Sequence, residues 1–247
     1  MASLLVPFHL DEYLPELGAL VPDADAVLSG SLPGETPWAR YAALHARVAH
    51  AVERLAGAGG RLDVVTGDCL IAAGTVLGLQ RAGHDVGVVW FDAHGDLHTA
   101  DSTTSGYPGG LSLRVVGGHR PPGWDLPDLR GVPEDRLVLV GARDIDPAEA
   151  DYLAASRIRQ VAVPDLAADD LPDGPLLLHV DVDVVDAAAL PGLRYPVTPG
   201  PSPDEVVAAA RRVLGTGRVV ALEVAATWFP VADPPAGHAL LADLLRT

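Results

Sequence analysis

Two short segments of the chain concentrate residues capable of metal chemistry. FDAHGD carries Asp92, His94 and Asp96 at alternate positions, and HVDVDVVD carries Asp181 and Asp183 at the same spacing. Alternate residues of an extended chain share a side, so each set is expected to present its side chains together. Each follows an apolar run, GVVWF in one case and LLLHV in the other, that reads as a buried strand. In open α/β sheets ligands bind outside the carboxyl ends of the strands, so the two sets can converge at one edge. Four carboxylates in one cleft repel unless a cation neutralises them. With an imidazole among them they suit divalent ions of intermediate hardness, manganese first. A lone D-x-D would read as a solvated strand end. Two such sets behind buried-type strands favour metal chemistry, because charged groups are seldom buried unpaired.

The elements that must hold these residues follow from the pattern around them. LDVVTGDC, VGVVWFDAHGD, RLVLVGARDID, PLLLHVDVDVVD and RVVALEVAAT are short Val-rich runs that end in polar residues. Such runs suit strands covered on both faces, as in a parallel sheet. Between them lie alanine-rich segments with helical spacing. WARYAALHARVAHAVERLAGAGG repeats its apolar positions every three or four residues, and Gly57 to Gly60 supplies a stop. IAAGTVLGLQRAGH and SPDEVVAAARRVLGTG read the same way. In the latter, Ser202 is the expected N-cap, with Pro203 at the first helical position and acids in the first turn. The alternation predicts a single α/β domain over residues 1–247 with a doubly wound sheet. The Pro/Gly-rich stretches 106–134 and 187–203 read as long loops, which in this architecture build sites.

Composition narrows the function. The chain has 17 basic and 33 acidic residues, a formal charge of −16 that repels phosphate backbones and anionic membranes. Nucleic-acid binding is therefore not expected. The single cysteine, Cys69, cannot form an internal disulfide, and MASLLVPFHLDEYLPELG lacks the basic start of a signal peptide. No apolar run approaches the roughly 18–20 residues that span a bilayer. The expectation is a soluble, cytoplasmic protein with no membrane partner.

T-G-D-C (66–69), D-A-H-G-D (92–96) and H-V-D-V-D-V-V-D-A (179–187) occur in this order. They resemble the G-G-D-H, D-A-H-x-D and S-x-D-x-D-x-x-D-P signatures of the ureohydrolase superfamily, which includes arginase, agmatinase and formiminoglutamase. The resemblance implies a three-layer α/β/α sandwich with a central, mainly parallel sheet and a binuclear manganese centre. By position, Asp92 and Asp181 would bridge the two ions. Asp96 and Cys69 would complete one site, and His94 and Asp183 the other. Two ions roughly 3.5–4 Å apart can share and acidify a bridging water. The resemblance implies that this hydroxide attacks a guanidino carbon, releasing urea or a substituted urea. Asp96 would hold or relay its proton.

Further pieces resemble the arginase branch. In LHTADSTTSG, His98, Thr103 and Ser105 fall where the family holds the substrate α-carboxylate. GARDIDP places Asp146 where the α-amino group is received, and LEVAAT places Glu223 on the glutamate that grips the guanidinium. These imply a small guanidino amino acid as substrate, rather than a decarboxylated amine such as agmatine.

Three departures stand out. Cys69 replaces a metal-binding histidine, Gly109 stands at the family's proton-shuttling histidine, and His98 stands where an asparagine is expected. A thiolate suits manganese less well than imidazole does, so the Cys69-side ion is expected to bind weakly. Without the shuttle, a less basic substituted guanidine such as N-hydroxyarginine is expected to outperform arginine. The enzymatic alternative is agmatinase-type or formiminoglutamase-type specificity. A different class is an inactive metal- or ligand-binding pseudoenzyme of the same fold. Family members form trimers or hexamers, so a homo-oligomer is implied.

The other histidines read more plainly. His45 and His50 are separated by roughly 140° on a helix and are expected to have no metal role. His179, in place of the family's serine, is a candidate support for the ligands. His119 is a candidate replacement for the shuttle, and Trp228 reads as a pocket wall or a packed aromatic.

Overall fold

The computed structural model describes residues 1–57, 59–228 and 235–246. Among the described residues ten strands form in chain order: β1 (Ala2–Val6), β2 (Phe8–His9), β3 (Glu12–Tyr13), β4 (Ala26–Val27), β5 (Leu62–Thr66), β6 (Gly87–Phe91), β7 (Leu137–Val140), β8 (Arg159–Val161), β9 (Leu176–Asp181) and β10 (Val219–Ala225). Eight of them make one sheet in the order β4-β1-β5-β10-β9-β6-β7-β8, and β2 pairs with β3 separately. Every pairing in the large sheet is parallel.

The five Val-rich runs of the sequence are β5, β10, β9, β6 and β7, the contiguous centre of the sheet. They are buried on both faces, which is why their apolar runs are nearly unbroken. Along β6, Val88 and Trp90 join the core on one face while Val89 and Phe91 join the core on the other. The strands at the margins, β4, β1 and β8, carry no such run. β4 has two residues and β8 is the largely exposed RQV.

Helices cover both faces. Helices α1 (Pro37–Ala56), α2 (Ala72–Arg81) and α3 (Ser112–Val116) pack against one, with Leu153 of α4 (Pro147–Ala155). Helices α5 (Pro203–Leu214) and α6 (Pro235–Leu245) pack against the other. This is the expected α/β sandwich around a parallel sheet. Helix α1 ends at Gly57, as its sequence indicates; of the expected Gly57–Gly60 stop, Ala58 lies outside the described residues. The Ser202 cap also forms: its Oγ accepts from Glu205 N at 3.3 Å while Glu205 Oε2 accepts from Ser202 N at 2.8 Å. The segment 106–134, expected to be loop, contains α3, a single turn too short to declare its period. Among the described residues no helix is long and apolar enough to cross a membrane.

Register decides which residues meet. Glu223 of β10, His179 of β9 and Trp90 of β6 are neighbours in one cross-strand row. Asp181 and Asp92 come two residues later on their strands, so they share a face with His179 and Trp90, about 6–7 Å nearer the carboxyl edge.

Candidate metal centre

Each ligand candidate is delivered by the end of a central strand. Asp92 follows β6, Asp181 ends β9, and Cys69 follows β5 through a tight turn capped by Asp68, whose Oδ1 accepts from Leu70 N at 2.7 Å. The two acid sets do not stay extended, as the alternation alone predicted. After Asp181 the chain enters a 3-10 turn over Val182–Val184, and Asp183 N donates to Asp181 Oδ1 at 2.8 Å. Asp96 adopts φ +54°, a left-handed conformation that aspartate tolerates better than most residues. Gly95 before it leaves space that a side chain could not share, since a Cβ there would lie 2.7 Å from Glu149 Oε1.

The turns nonetheless converge. Cys69, Asp92, His94, Asp96, Asp181 and Asp183 all line one cleft of about 270 Å³. Candidate ligand atoms of Cys69, Asp92 and Asp96 lie within 4.8 Å of one another, and so do those of Asp92, His94 and Asp183. Asp92 is common to both groups and Asp181 belongs to neither. Asp181 is close by, accepting from Cys69 Sγ at 2.7 Å and from Thr227 Oγ1 at 2.6 Å. His94 Nδ1 lies 3.2 Å from both Asp92 Oδ1 and Asp183 Oδ2.

The electrostatics are those of a site built for cations. Burial and then the Asp92 charge push Asp96 well above the usual carboxylate range. Burial, Asp183 and Asp92 do the same to Asp181. Asp183 rises to about 7 through burial and Asp92. Burial and the charges of Asp181 and Asp92 raise the Cys69 thiol. Burial opposes a charge on His94, but its hydrogen bonds to Asp183 and Asp92 outweigh that and raise its pKa. Buried carboxylates crowded with a thiol and an imidazole call for a neutralising cation, and the two donor groups that meet at Asp92 fit metal ions.

A second polar group lies at the other end of the cleft. His98 Nε2 is 3.0 Å from Asp146 Oδ2, and its Nδ1 is 3.1 Å from Ser102 Oγ. His98, Asp146 and Ser105 line the cleft. Thr103 does not line it; its hydroxyl accepts from Gly106 N at 3.1 Å, closing a turn of its own loop.

The structure also leaves Glu223 away from the cleft surface. The cross-strand row aims it at the face covered by α2, where it is fully buried. One carboxylate oxygen accepts from Thr75 Oγ1, and the other lies 3.0 Å from His179 Nδ1. The His179 ring in turn stacks on Trp90, with centroids 3.7 Å apart. Trp90 Nε1 donates to Asp92 Oδ2 at 3.1 Å, so this layer braces Asp92.

A family model described as Arginase family matches residues 5–246. The chain belongs to the arginase family. This arginase-family chain is 34% identical over 195 residues to the arginase of Eremothecium gossypii, covering 71% of the chain and 48% of that protein. It is 29% identical over 166 residues to the N(omega)-hydroxy-L-arginine amidinohydrolase of Streptomyces lavendulae, covering 66% of the chain and 59% of that protein. The chain thus spans about half the length of the curated relatives it matches. The crystal structure of the arginase from Bacillus cereus superposes with a TM-score of 0.80 at 23% identity, over 99% of this chain and 97% of that one. Formimidoylglutamase from Bacillus subtilis superposes with a TM-score of 0.71 at 18% identity, over 99% of this chain and 85% of that one. At these identities the likeness is one of fold.

Several residues of this arginase-family cleft escape sequence reasoning. Glu149 braces the D-A-H-G-D turn through Oε1, which accepts from Leu97 N at 2.8 Å, and through Oε2, which accepts from Asp146 N at 3.1 Å. Its position three residues after Asp146 at a helix start is a signal that could have found it. Thr227, Tyr107 and Tyr195 also line the cleft, and nothing in their local sequence marks them. His119 and Trp228 do not line it; Trp228 is buried in the core beside α6. His45 is buried and His50 exposed, on different sides of α1.

Proposed function

We propose that this protein hydrolyses a guanidino C–N bond of an arginine-like amino acid, N-hydroxyarginine ahead of arginine, with two manganese ions. The observation that carries this reading is the pair of donor groups, Cys69/Asp92/Asp96 and Asp92/His94/Asp183, that share Asp92 in one cleft. Asp181 is the second shared carboxylate in this proposal. When bound, the ions would supply an activated water for attack on the guanidino carbon. The chain's own residues do the rest. Asp96, which lines the cleft beside Cys69 and Asp92, holds or relays a proton of the attacking water beside the reacting carbon. Asp146 receives the substrate amino group, and His98 with Ser105 meets its carboxylate. Thr103 shapes that loop. Glu223, buried behind the cleft and held by His179 and Thr75, acts through the His179–Trp90 layer that braces Asp92 rather than by contact with the guanidino group.

Water adds across the bond, so arginine yields ornithine and urea, and N-hydroxyarginine yields ornithine and hydroxyurea. The relatives support this class of substrate: two of them carry arginase and N(omega)-hydroxy-L-arginine amidinohydrolase as their names. Gly109, in place of the shuttle histidine, supports the substituted guanidine over arginine. Ornithine release at defined manganese loading is the test, and equal or faster release from arginine would overturn the choice of N-hydroxyarginine.

A further inference from the structure

Tyr107 brings to the cleft a group that none of the metal or substrate assignments uses. It lines the same cleft as Cys69, Asp92 and Asp96. Its ring fills the space in front of Gly109, where a Cβ would sit 2.6 Å from the Tyr107 hydroxyl, closer than real side chains approach. The space that a side chain at 109 would take is filled by the aromatic hydroxyl from two residues earlier.

That hydroxyl is held firmly. His9 Nε2 lies 2.9 Å away, and the imidazole stacks on the phenol with ring centroids 5.9 Å apart and planes 15° from parallel. Asp68 Oδ2 accepts from the hydroxyl at a longer 3.4 Å. The Tyr195 ring flanks the phenol at 4.7 Å between centroids. His9 is buried, and burial with the nearby Arg194 charge lowers its pKa to about 4, so it is a neutral imidazole with one N–H at neutral pH. With that hydrogen on Nε2, His9 donates to the phenol oxygen and leaves the phenol hydrogen free. Its partners are then Asp68, at the long contact, the neighbouring Tyr195 hydroxyl, or a ligand in the cleft. Burial and the charge of Asp68 keep the phenol protonated.

We propose that Tyr107 is a catalytic residue whose hydroxyl, positioned by His9, donates a hydrogen bond to the nitrogen that departs from the substrate carbon. This rests on the guanidino hydrolysis proposed above. As the water oxygen bonds to the carbon and the C–N bond breaks, the electron pair settles on that nitrogen, which takes the proton given up by the water through Asp96. A fixed neutral donor there gains strength in the transition state.

Tyr107→Phe keeps the ring and removes only the hydroxyl, leaving the cleft wall in place. At full manganese loading its kcat/KM for ornithine release is expected to fall at least about ten-fold. Calorimetric affinity for ornithine, whose departed nitrogen is by then an ammonium that donates to the phenol oxygen, is expected to weaken by about three-fold. His9→Ala should lower kcat/KM in the wild-type background and change nothing further beside Tyr107→Phe. A structural role for His9 would lower it equally in both backgrounds and overturn the positioning. Release by Tyr107→Phe within about two-fold of wild type overturns the catalytic role. Should the wild type release no ornithine, the hydrolysis reading falls. The ornithine affinities then decide on Tyr107 alone: a difference supports the contact and equality overturns it.

Discussion

The Cys69 thiol donates to Asp181 Oδ2 at 2.7 Å, so in the metal-free protein the sulfur keeps its proton. Burial, Asp181 and Asp92 all oppose its ionisation, and only the thiolate is a good ligand. An imidazole needs no such deprotonation and suits manganese better than sulfur does. Cys69→Ser and Cys69→His therefore separate the possibilities at this position. Elemental analysis after dialysis against limiting manganese should find more metal per chain in Cys69→His than in wild type. Unchanged occupancy would mean that the thiol is not a ligand. The sequence indicated nine site residues that do line one cleft, the six metal-donor candidates with His98, Ser105 and Asp146. It could not indicate that Glu223 and Thr103 turn from the cleft, because those outcomes depend on which neighbours, His179 and Thr75 or Gly106, reach them first.

Helix α1 shows how an element can carry a titratable group without using it in chemistry. His45 is 1% exposed, and its Nδ1 accepts from the Trp124 indole at 3.0 Å. Burial lowers its pKa to about 3 from an ordinary 6.5. Since the folded pKa lies below the unfolded one, the neutral ring contributes stability that is complete above pH 6.5 and is lost as pH falls towards 3. The slope through that window is roughly 1.4 kcal/mol per pH unit. His45→Gln keeps an acceptor for Trp124 and removes the titration. Urea unfolding at pH 6.5 and 4.5 should show wild type losing more stability than the variant by about 2–3 kcal/mol. Parallel losses would contradict the assignment. The elements themselves were legible where burial is two-sided: the five central strands and helices α1, α2 and α5. β4 and β8 were not, because edge strands are short and one side of the backbone ladder is free, so no apolar run is needed. Helix α3 is only five residues long and shows no period.

Taken whole, the molecule is strongly acidic at −16, with several of its acids gathered at one sheet edge. Asp183 rises to about 7, Asp96 and Asp181 lie well above the carboxylate range, and His94 holds a proton more tightly than usual. A divalent cation must displace these protons. Manganese affinity is therefore expected to rise at least about ten-fold from pH 6 to pH 8, with net proton release read by calorimetry in buffers of different ionisation enthalpy. Binding that is independent of pH and buffer would contradict this picture of the centre. The same raised carboxylates contribute stability to the metal-free fold at low pH and lose it as pH rises through about 7. Bound metal should restore it at pH 8, read as a higher thermal midpoint.

The cleft, loaded with two metal ions, is proposed to cleave a guanidino C–N bond. Ornithine release from N-hydroxyarginine and from arginine, by protein shown to hold two manganese ions per chain, tests it most directly. Loaded protein is expected to release ornithine from both, faster from N-hydroxyarginine, and stripped protein from neither. Fully loaded protein that releases ornithine from neither would contradict it.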